Sequence, residues 1–204
     1  MTGLGQPRRI GVLGGTFDPV HNGHLYIADA LRTALDLERI VWVPAGRPPH
    51  KSDQIVSRDQ DRLAMLDLAL AGSTSDEIST IDLERSGPSY TADTLEILAE
   101  RFRPARLFFL MGEDSLRDLP TWHDPERILR VAELAVAARP GVDADLESVV
   151  RQVPAVRKRV HVVPTEEIAI SSSEIRRRVG ENQSVQDLVP ATVEAYIRDR
   201  GLYT

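Results

Sequence analysis

The sequence predicts an α/β fold: a doubly wound, mostly parallel sheet with helices on both faces and a small C-terminal helical part. Three observations lead there. Apolar runs of strand length alternate with segments of helical period, the pattern of successive βα units. The runs are almost continuously apolar, as strands covered on both faces are. At 204 residues, 42% of them hydrophobic and 27% charged, the chain has the size and mix of one soluble α/β unit that builds its own core. The expectation is a single domain over residues 1–204, frayed at 1–7 and helical over 171–204.

The first strand is Arg9 to Leu13, "RIGVL". Gly23 to Leu35 follows as a helix, because Leu25, Ala28, Leu31, Ala34 and Leu35 fall on one face. Ile40 to Val43 is a second strand and Arg62 to Leu70 a crossover helix, with a weaker strand at Ile78 to Ile81. Thr91 to Phe102 has helical period and leads into the strands Arg106 to Met111 and Leu134 to Ala138, with a weaker one at Val160 to Val163. After Pro190, Ala191 to Asp199 closes as a helix docked through Val193 and Ile197. In open α/β sheets ligands bind beyond the carboxyl ends of the strands. The segments Gly14 to His24, Pro44 to Ser57 and Gly112 to Trp122 are therefore expected to line one crevice.

A formal charge of −6, from 31 acidic and 25 basic residues, gives no general attraction for nucleic acid or an anionic membrane, so a bound anion needs a local positive site. No cysteine is present, which removes disulfides, thiolate metal sites and cysteine nucleophiles. The opening "MTGLGQPRR" has no apolar run, and no segment approaches the roughly 20 apolar residues of a membrane span. A cytoplasmic location fits. Apolar surface reads equally as core or as a homo-oligomer interface, so the oligomeric state stays open.

The first loop reads "GGTFDPVHNGH", Gly14 to His24. Strand, glycine pair, loop and helix make a phosphate-binding arrangement, since glycines allow close approach and a helix start presents free N–H groups. It is neither a Gly-Lys-Ser/Thr loop nor a Gly-x-Gly-x-x-Gly fingerprint. His21 and His24 at i and i+3 can both donate to phosphate oxygens. An incidental pair, or a metal pair lacking a third ligand, is the competing reading, and five histidines in the chain make the metal weak. A second segment, "ISSSEIR" over Ile170 to Arg176, reads as a capped helix start bearing a basic residue. "SYTADTL" from Ser89 reads as another, and Trp122 of "LPTW" reads as core packing or as a flat ring in a crevice.

The complete first string closely resembles the Gly-x-Phe-Asp-Pro-x-His-x-Gly-His signature of the nucleotidyltransferase superfamily with the His-x-Gly-His theme. "SYTADTL" and "MGEDS…LPTW", with the closing "VEAYIRDRGLY", are similar to segments of the bacterial nicotinate mononucleotide adenylyltransferases. The resemblance runs from Arg8 almost to the end. It implies a Rossmann-like nucleotidyltransferase domain that joins the adenylyl group of ATP to nicotinate mononucleotide, with Mg²⁺ accompanying ATP and no protein-held metal. His21, His24, Lys51 and Arg176 would be the catalytic set. Gly14, Gly15, Thr16, Phe17, Gly112, Asp114, Ser171, Ser172 and Ser173 would join His21, His24 and Arg176 around ATP. Thr16, Lys51, Ser89, Tyr90, Thr91, Trp122 and Arg139 would hold the mononucleotide, Trp122 stacking on its ring. Hydroxyl and N–H donors around Ser89 to Thr91 suit a carboxylate over a carboxamide. The third serine of "SSSEIR" departs from a frequent threonine and keeps the hydroxyl. A phosphopantetheine adenylyltransferase-like enzyme and a non-catalytic adenine-nucleotide-binding module are the alternatives. The first is generally shorter and lacks the two acceptor segments, and the second would usually have lost a phosphate ligand.

Overall fold

Residues 8–47, 57–138, 146–166 and 169–204 are described in a computed structural model. Within them the apolar runs become strands β1 (Arg9–Gly15), β2 (Arg39–Pro44), β3 (Asp76–Ile78), β4 (Arg106–Gly112), β5 (Ala132–Ala138) and β6 (Val160–Pro164). They form one sheet in the order β3-β2-β1-β4-β5-β6, with every adjacent pair parallel. The chain winds outward from β1 through β2 to β3, then returns to the other side of β1 to lay down β4. This reversal is the doubly wound topology, and it opens a crevice between the carboxyl ends of β1 and β4.

The helices are α1 (Asn22–Leu35), α2 (Asp59–Leu70), α3 (Ile81–Glu84), α4 (Thr91–Arg101), α5 (Glu113–Asp118), α6 (Pro125–Val131), α7 (Leu146–Gln152), α8 (Ser172–Gly180) and α9 (Ala191–Arg200). Alternation along β4 assigns them to layers. Leu107, Phe109 and Met111 face one core with Leu95 and Leu98 of α4, Ile128 and Leu129 of α6 and Val149 of α7. Phe108 and Leu110 face a second core with Leu31 of α1, Met65 of α2, Ile175 of α8 and Val193 and Ile197 of α9. Each such side chain contributes about 2 kcal/mol on burial, so both layers hold the sheet. The C-terminal helical part is fixed by polar contacts as well. Asp61 of α2 is buried and accepts the Tyr196 hydroxyl at 2.8 Å and the Arg200 guanidinium at 3.2 Å, both from α9.

Two stretches differ from the sequence expectation. The third strand covers 76–78 rather than 78–81, and Ile81 opens α3. Its polar start is held by hydrogen bonds instead of apolar content: Asp76 accepts from Trp42 Nε1 at 2.9 Å and from Arg32. The expected loop over Gly112 to Trp122 is mostly helical, α5 followed by a 3₁₀ turn at Leu119–Thr121. Gly112 is the N-cap, and Glu113 and Asp114 in the first turn complement the helix dipole. The short helices α6 and α7 were not expected either.

The segment after β2 is pinned against α3 and the start of α4. The hydroxyl of Ser89 accepts from the backbone N–H of Gly46 (3.2 Å) and Arg47 (3.0 Å), and Ser89 N–H donates to Arg47 O at 2.9 Å. A Cβ on Gly46 would sit 2.2 Å from the carbonyl oxygen of Asp82, a backbone atom with no freedom to yield. Gly46→Ala is therefore expected to destabilise the fold by about 2 kcal/mol, or roughly 4–8 °C in Tm. Thermal melts of the variant against the parent check this.

Candidate active site

The loop after β1 has no ladder to satisfy its carbonyls, so side chains from distant segments do so. Thr16 O accepts from Arg62 Nη1 at 2.7 Å, Asp18 O from Arg176 Nη1 at 2.8 Å, and Pro19 O from the Ser172 hydroxyl at 3.0 Å. Phe17 holds a left-handed backbone, φ 49°, uncommon for a bulky residue. Its ring is fully buried and lies under Gly15, where a Cβ would meet it at 2.9 Å. The side chain of Phe17, a residue expected around ATP, belongs to the core, edge-on to the His24 imidazole at 5.1 Å.

The two histidines cap α1 reciprocally. His24 N–H donates to His21 Nδ1 and His21 N–H donates to His24 Nδ1, each at 3.3 Å, and the rings stack 3.6 Å apart. A nitrogen that accepts a backbone N–H carries no proton, so both imidazoles are assigned the Nε2–H tautomer. Each therefore presents Nε2–H as its donor. Burial depresses His21 to about 4, which keeps its ring neutral in neutral solution.

Across the crevice, Ser171 caps α8 by accepting from Glu174 N–H at 3.2 Å. The Glu174 carboxylate pairs with Arg177 and Arg178 at 2.8 Å each, and those contacts hold it down to about 2. Of the three consecutive arginines, Arg176 is the one turned to the motif loop, where it also donates to Ser173 Oγ at 3.3 Å. The crevice, about 830 Å³, is lined by Gly14, Gly15, Thr16, His21 and His24 and by Ser171, Ser172, Ser173 and Arg176. Two helix starts thus bring their dipoles and donors to one concavity, the local anion site that the net charge lacks.

The acceptor segments enter from the other layer. Ser89, Tyr90, Thr91 and Trp122 line the same crevice, with Gly112 and Asp114. Trp122 stands edge-on to Phe109 at 5.9 Å. Ser89 does not cap α4. Its hydroxyl already accepts the two N–H groups of 46 and 47, which leaves its O–H as the remaining function. Asp114 projects into solvent beside Arg117, 3.0 Å away. Arg127 ties α6 to α4, reaching Glu96 (2.6 Å) and Asp93 (2.9 Å).

Among the lining residues that the sequence reading did not single out are His123, Asp82 and Thr94. His123 stacks on Tyr90 at 4.1 Å, and its position directly after Trp122 was the available signal. Asp82 and Thr94 form a buried pair, hydroxyl to carboxylate at 2.6 Å, with Arg85 3.3 Å from the same oxygen. Burial pushes Asp82 up, against that hydroxyl and Arg85. Asp82 directly follows the strand expected at Ile78 to Ile81, and no motif marked it. Lys51 and Arg139 lie outside the described residues, as does most of Pro44 to Ser57. Among the described residues no group of three or more His, Asp or Glu side chains could hold a metal, and no helix is long and apolar enough to cross a membrane.

Residues 12–178 match the Cytidylyltransferase-like family model. A Thermomicrobium roseum protein named as a probable nicotinate-nucleotide adenylyltransferase is 50% identical over 195 residues, 96% of this chain and 91% of that one. One from Dehalococcoides mccartyi strain CBDB1, with the same name, is 40% identical over 200 residues, 96% of this chain and 97% of its own. The chain belongs to the nicotinate-nucleotide adenylyltransferase family. It is a nucleotidyltransferase within the wider Cytidylyltransferase-like group. The fold agrees with that of the Plasmodium falciparum nicotinic acid mononucleotide adenylyltransferase complexed with NaAD. There the TM-score is 0.76 at 22% identity, covering 96% of this chain and 97% of that chain.

The depressed His21 has a consequence for stability. Its folded value of about 4 lies below the ordinary 6.5, so the folded state excludes a proton that the unfolded chain binds between those values. Stability is complete above pH 6.5, falls as pH drops toward 4, and is flat in this group below that. His21→Asn can still cap α1 but does not titrate. The parent is expected to lose on the order of 3 kcal/mol relative to this variant between pH 6.5 and 4. Urea melts of both across that range check it.

Proposed function

We propose that the chain transfers the adenylyl group of ATP to nicotinate mononucleotide, giving nicotinate adenine dinucleotide and pyrophosphate, in NAD biosynthesis. The observation that carries this reading is one crevice that combines a donor-lined anion site with an aromatic and hydroxyl-bearing pocket. The relatives' names choose the acceptor. An oxygen of the mononucleotide 5′-phosphate attacks the α-phosphorus of ATP. A new P–O bond forms as the bond to the β-phosphate oxygen breaks, and pyrophosphate takes the electron pair.

His21 and His24 donate Nε2–H to the α-phosphate as charge develops there, a role that needs positioning rather than proton transfer. Ser171, Ser172, Ser173 and the start of α8 hold the departing phosphates, with Arg176 and Lys51 supplying positive charge. Gly14, Gly15 and Thr16 let the nucleotide lie against the end of β1, and Gly112 and Asp114 meet its adenosine. Trp122 stacks on the pyridine ring, and the Ser89 to Thr91 start of α4 receives its carboxylate. A carboxamide would bring an NH₂ to the same donors, so the acid is preferred. Arg139 adds a mononucleotide phosphate contact. Around the histidines and the start of α8 the crevice offers N–H and O–H donors, which fit phosphate oxygens. Mg²⁺ would come to the site with ATP and would supply charge neutralisation of the phosphates. The reaction belongs to the cytoplasm.

The direct test measures pyrophosphate released from Mg-ATP with nicotinate mononucleotide, nicotinamide mononucleotide or phosphopantetheine as acceptor. The first is expected to react fastest, and phosphopantetheine winning would overturn the acceptor assignment. His24→Ala is expected to lower kcat about a hundredfold or more with the fold retained, the loss typical of one transition-state donor. Turnover near that of the parent in a variant with parental circular dichroism would remove His24 from the mechanism. Trp122→Ala should raise KM for the mononucleotide far more than KM for ATP, which steady-state kinetics with each substrate varied will read.

A further inference from the structure

Asp18, inside the motif loop, is fully buried, and its carboxylate joins segments far apart in sequence. The hydroxyl of Tyr203, 185 residues away, donates to Asp18 Oδ1 at 2.7 Å. The backbone N–H of Ser57, where the chain returns from the stretch bearing Lys51, donates to Oδ2 at 3.3 Å. Tyr203 arrives by a tight turn after α9: Gly201 and Tyr203 both hold left-handed backbones, φ 59° and 68°, and Leu202 N–H donates to Ile197 O at 3.0 Å. Its carbonyl packs against the end of α8, where a Cβ on Gly180 would lie 3.2 Å from it. Burial and the adjacent carboxylate push the phenol above its ordinary range, so it remains a donor throughout neutral solution.

Two residues separate this carboxylate from His21, and its neighbour Phe17 is the left-handed one. A strained loop keeps its geometry only where contacts over-determine it. The backbone of residues 16 to 19 is held through three carbonyls. The Asp18 side chain is a fourth anchor, and Tyr203 supplies its shortest hydrogen bond among the described residues.

We propose that Tyr203 is a positioning residue for adenylyl transfer: its hydroxyl fixes Asp18, and through Asp18 the loop that aims His21 and His24. The proposal rests on the adenylyl-transfer reading for its kinetic consequence but not for its structural one. Tyr203→Phe removes a single oxygen. It is expected to lower kcat about tenfold while KM for ATP and for the mononucleotide stay within about twofold, because alignment and not ground-state binding is lost. In the parent, long-range ¹⁵N–¹H spectra of the imidazoles should show Nε2–H tautomers for His21 and His24. In the variant those signals should shift toward a mixture. If the parent itself releases no pyrophosphate, the adenylyl-transfer reading fails, and the spectra still decide whether Tyr203 orders the histidines. A folded Tyr203→Phe with parental kcat and parental imidazole spectra overturns the proposal. Asp18→Asn provides a second route should the first variant melt below the assay temperature. It should give a similar loss of kcat and the same spectral shift, and parental values there overturn the proposal as well. Where both variants fold, the double variant should be no worse than the worse single one, whereas multiplying losses would show two independent roles.

Discussion

The site depends on how a short irregular loop disposes of its carbonyl groups. Between β1 and α1 the chain must turn sharply enough to place two imidazoles beyond the sheet, and the turn leaves Thr16, Asp18 and Pro19 without ladder partners. A buried carbonyl without a donor costs about 1–3 kcal/mol. The chain supplies Arg62, Arg176 and Ser172, one donor to each. Arg62 is fully buried to do so. This couples motif and scaffold: α2 and α8 cannot move relative to β1 without unseating the loop, and the loop cannot relax its left-handed Phe17 while they stay.

The same contacts explain why a chain of net charge −6 holds an anion site. Most arginines here are neutralised locally, as Arg177 and Arg178 are by Glu174 and Arg127 is by Asp93 and Glu96. Arg176 instead spends its hydrogen bonds on a backbone carbonyl and a serine hydroxyl, which satisfy its geometry without cancelling its charge. Two helix dipoles add to it. The anion site therefore rests on donors and helix starts gathered at one end of the crevice, and the global charge says little about it.

Much of this was legible in sequence because it is local. The central strands, α1, α2, α4 and α9 were marked by period, and the glycine pair, the histidines and the serines before Arg176 were marked by spacing. The signals failed where tertiary partners set the outcome. Asp76 and Glu77 form a strand because Arg32 of α1 and Trp42 of β2 meet the first and Arg39 and Arg101 meet the second, which no window of neighbouring residues shows. Ser89 looks like an N-cap, yet its hydroxyl is taken by the N–H groups of 46 and 47, more than forty residues back. Phe17 reads as part of a ligand motif and is a core residue, since only the fold reveals that the glycine before it makes room for a ring. Asp82 carried no mark at all. Its place beside the crevice follows from Gly46 packing on its carbonyl.

The histidine pair shows why the chemistry asks for stacked neutral rings rather than two cations. The acceptor phosphate is ionised in neutral solution and pyrophosphate leaves without a proton, so the proposed reaction has no step that requires a general base. What it needs is donors already aimed at the α-phosphate. A capped helix start that fixes both Nδ1 atoms as acceptors provides two Nε2–H donors whose direction is set by backbone geometry. Charging either ring would bring a proton to an Nδ1 that faces an N–H, and charging both would set like charges 3.6 Å apart. Burial of His21 works in the same direction. Fixed neutral dipoles lose less to solvent reorganisation than mobile charges do, and the loop's many anchors are what keep them fixed.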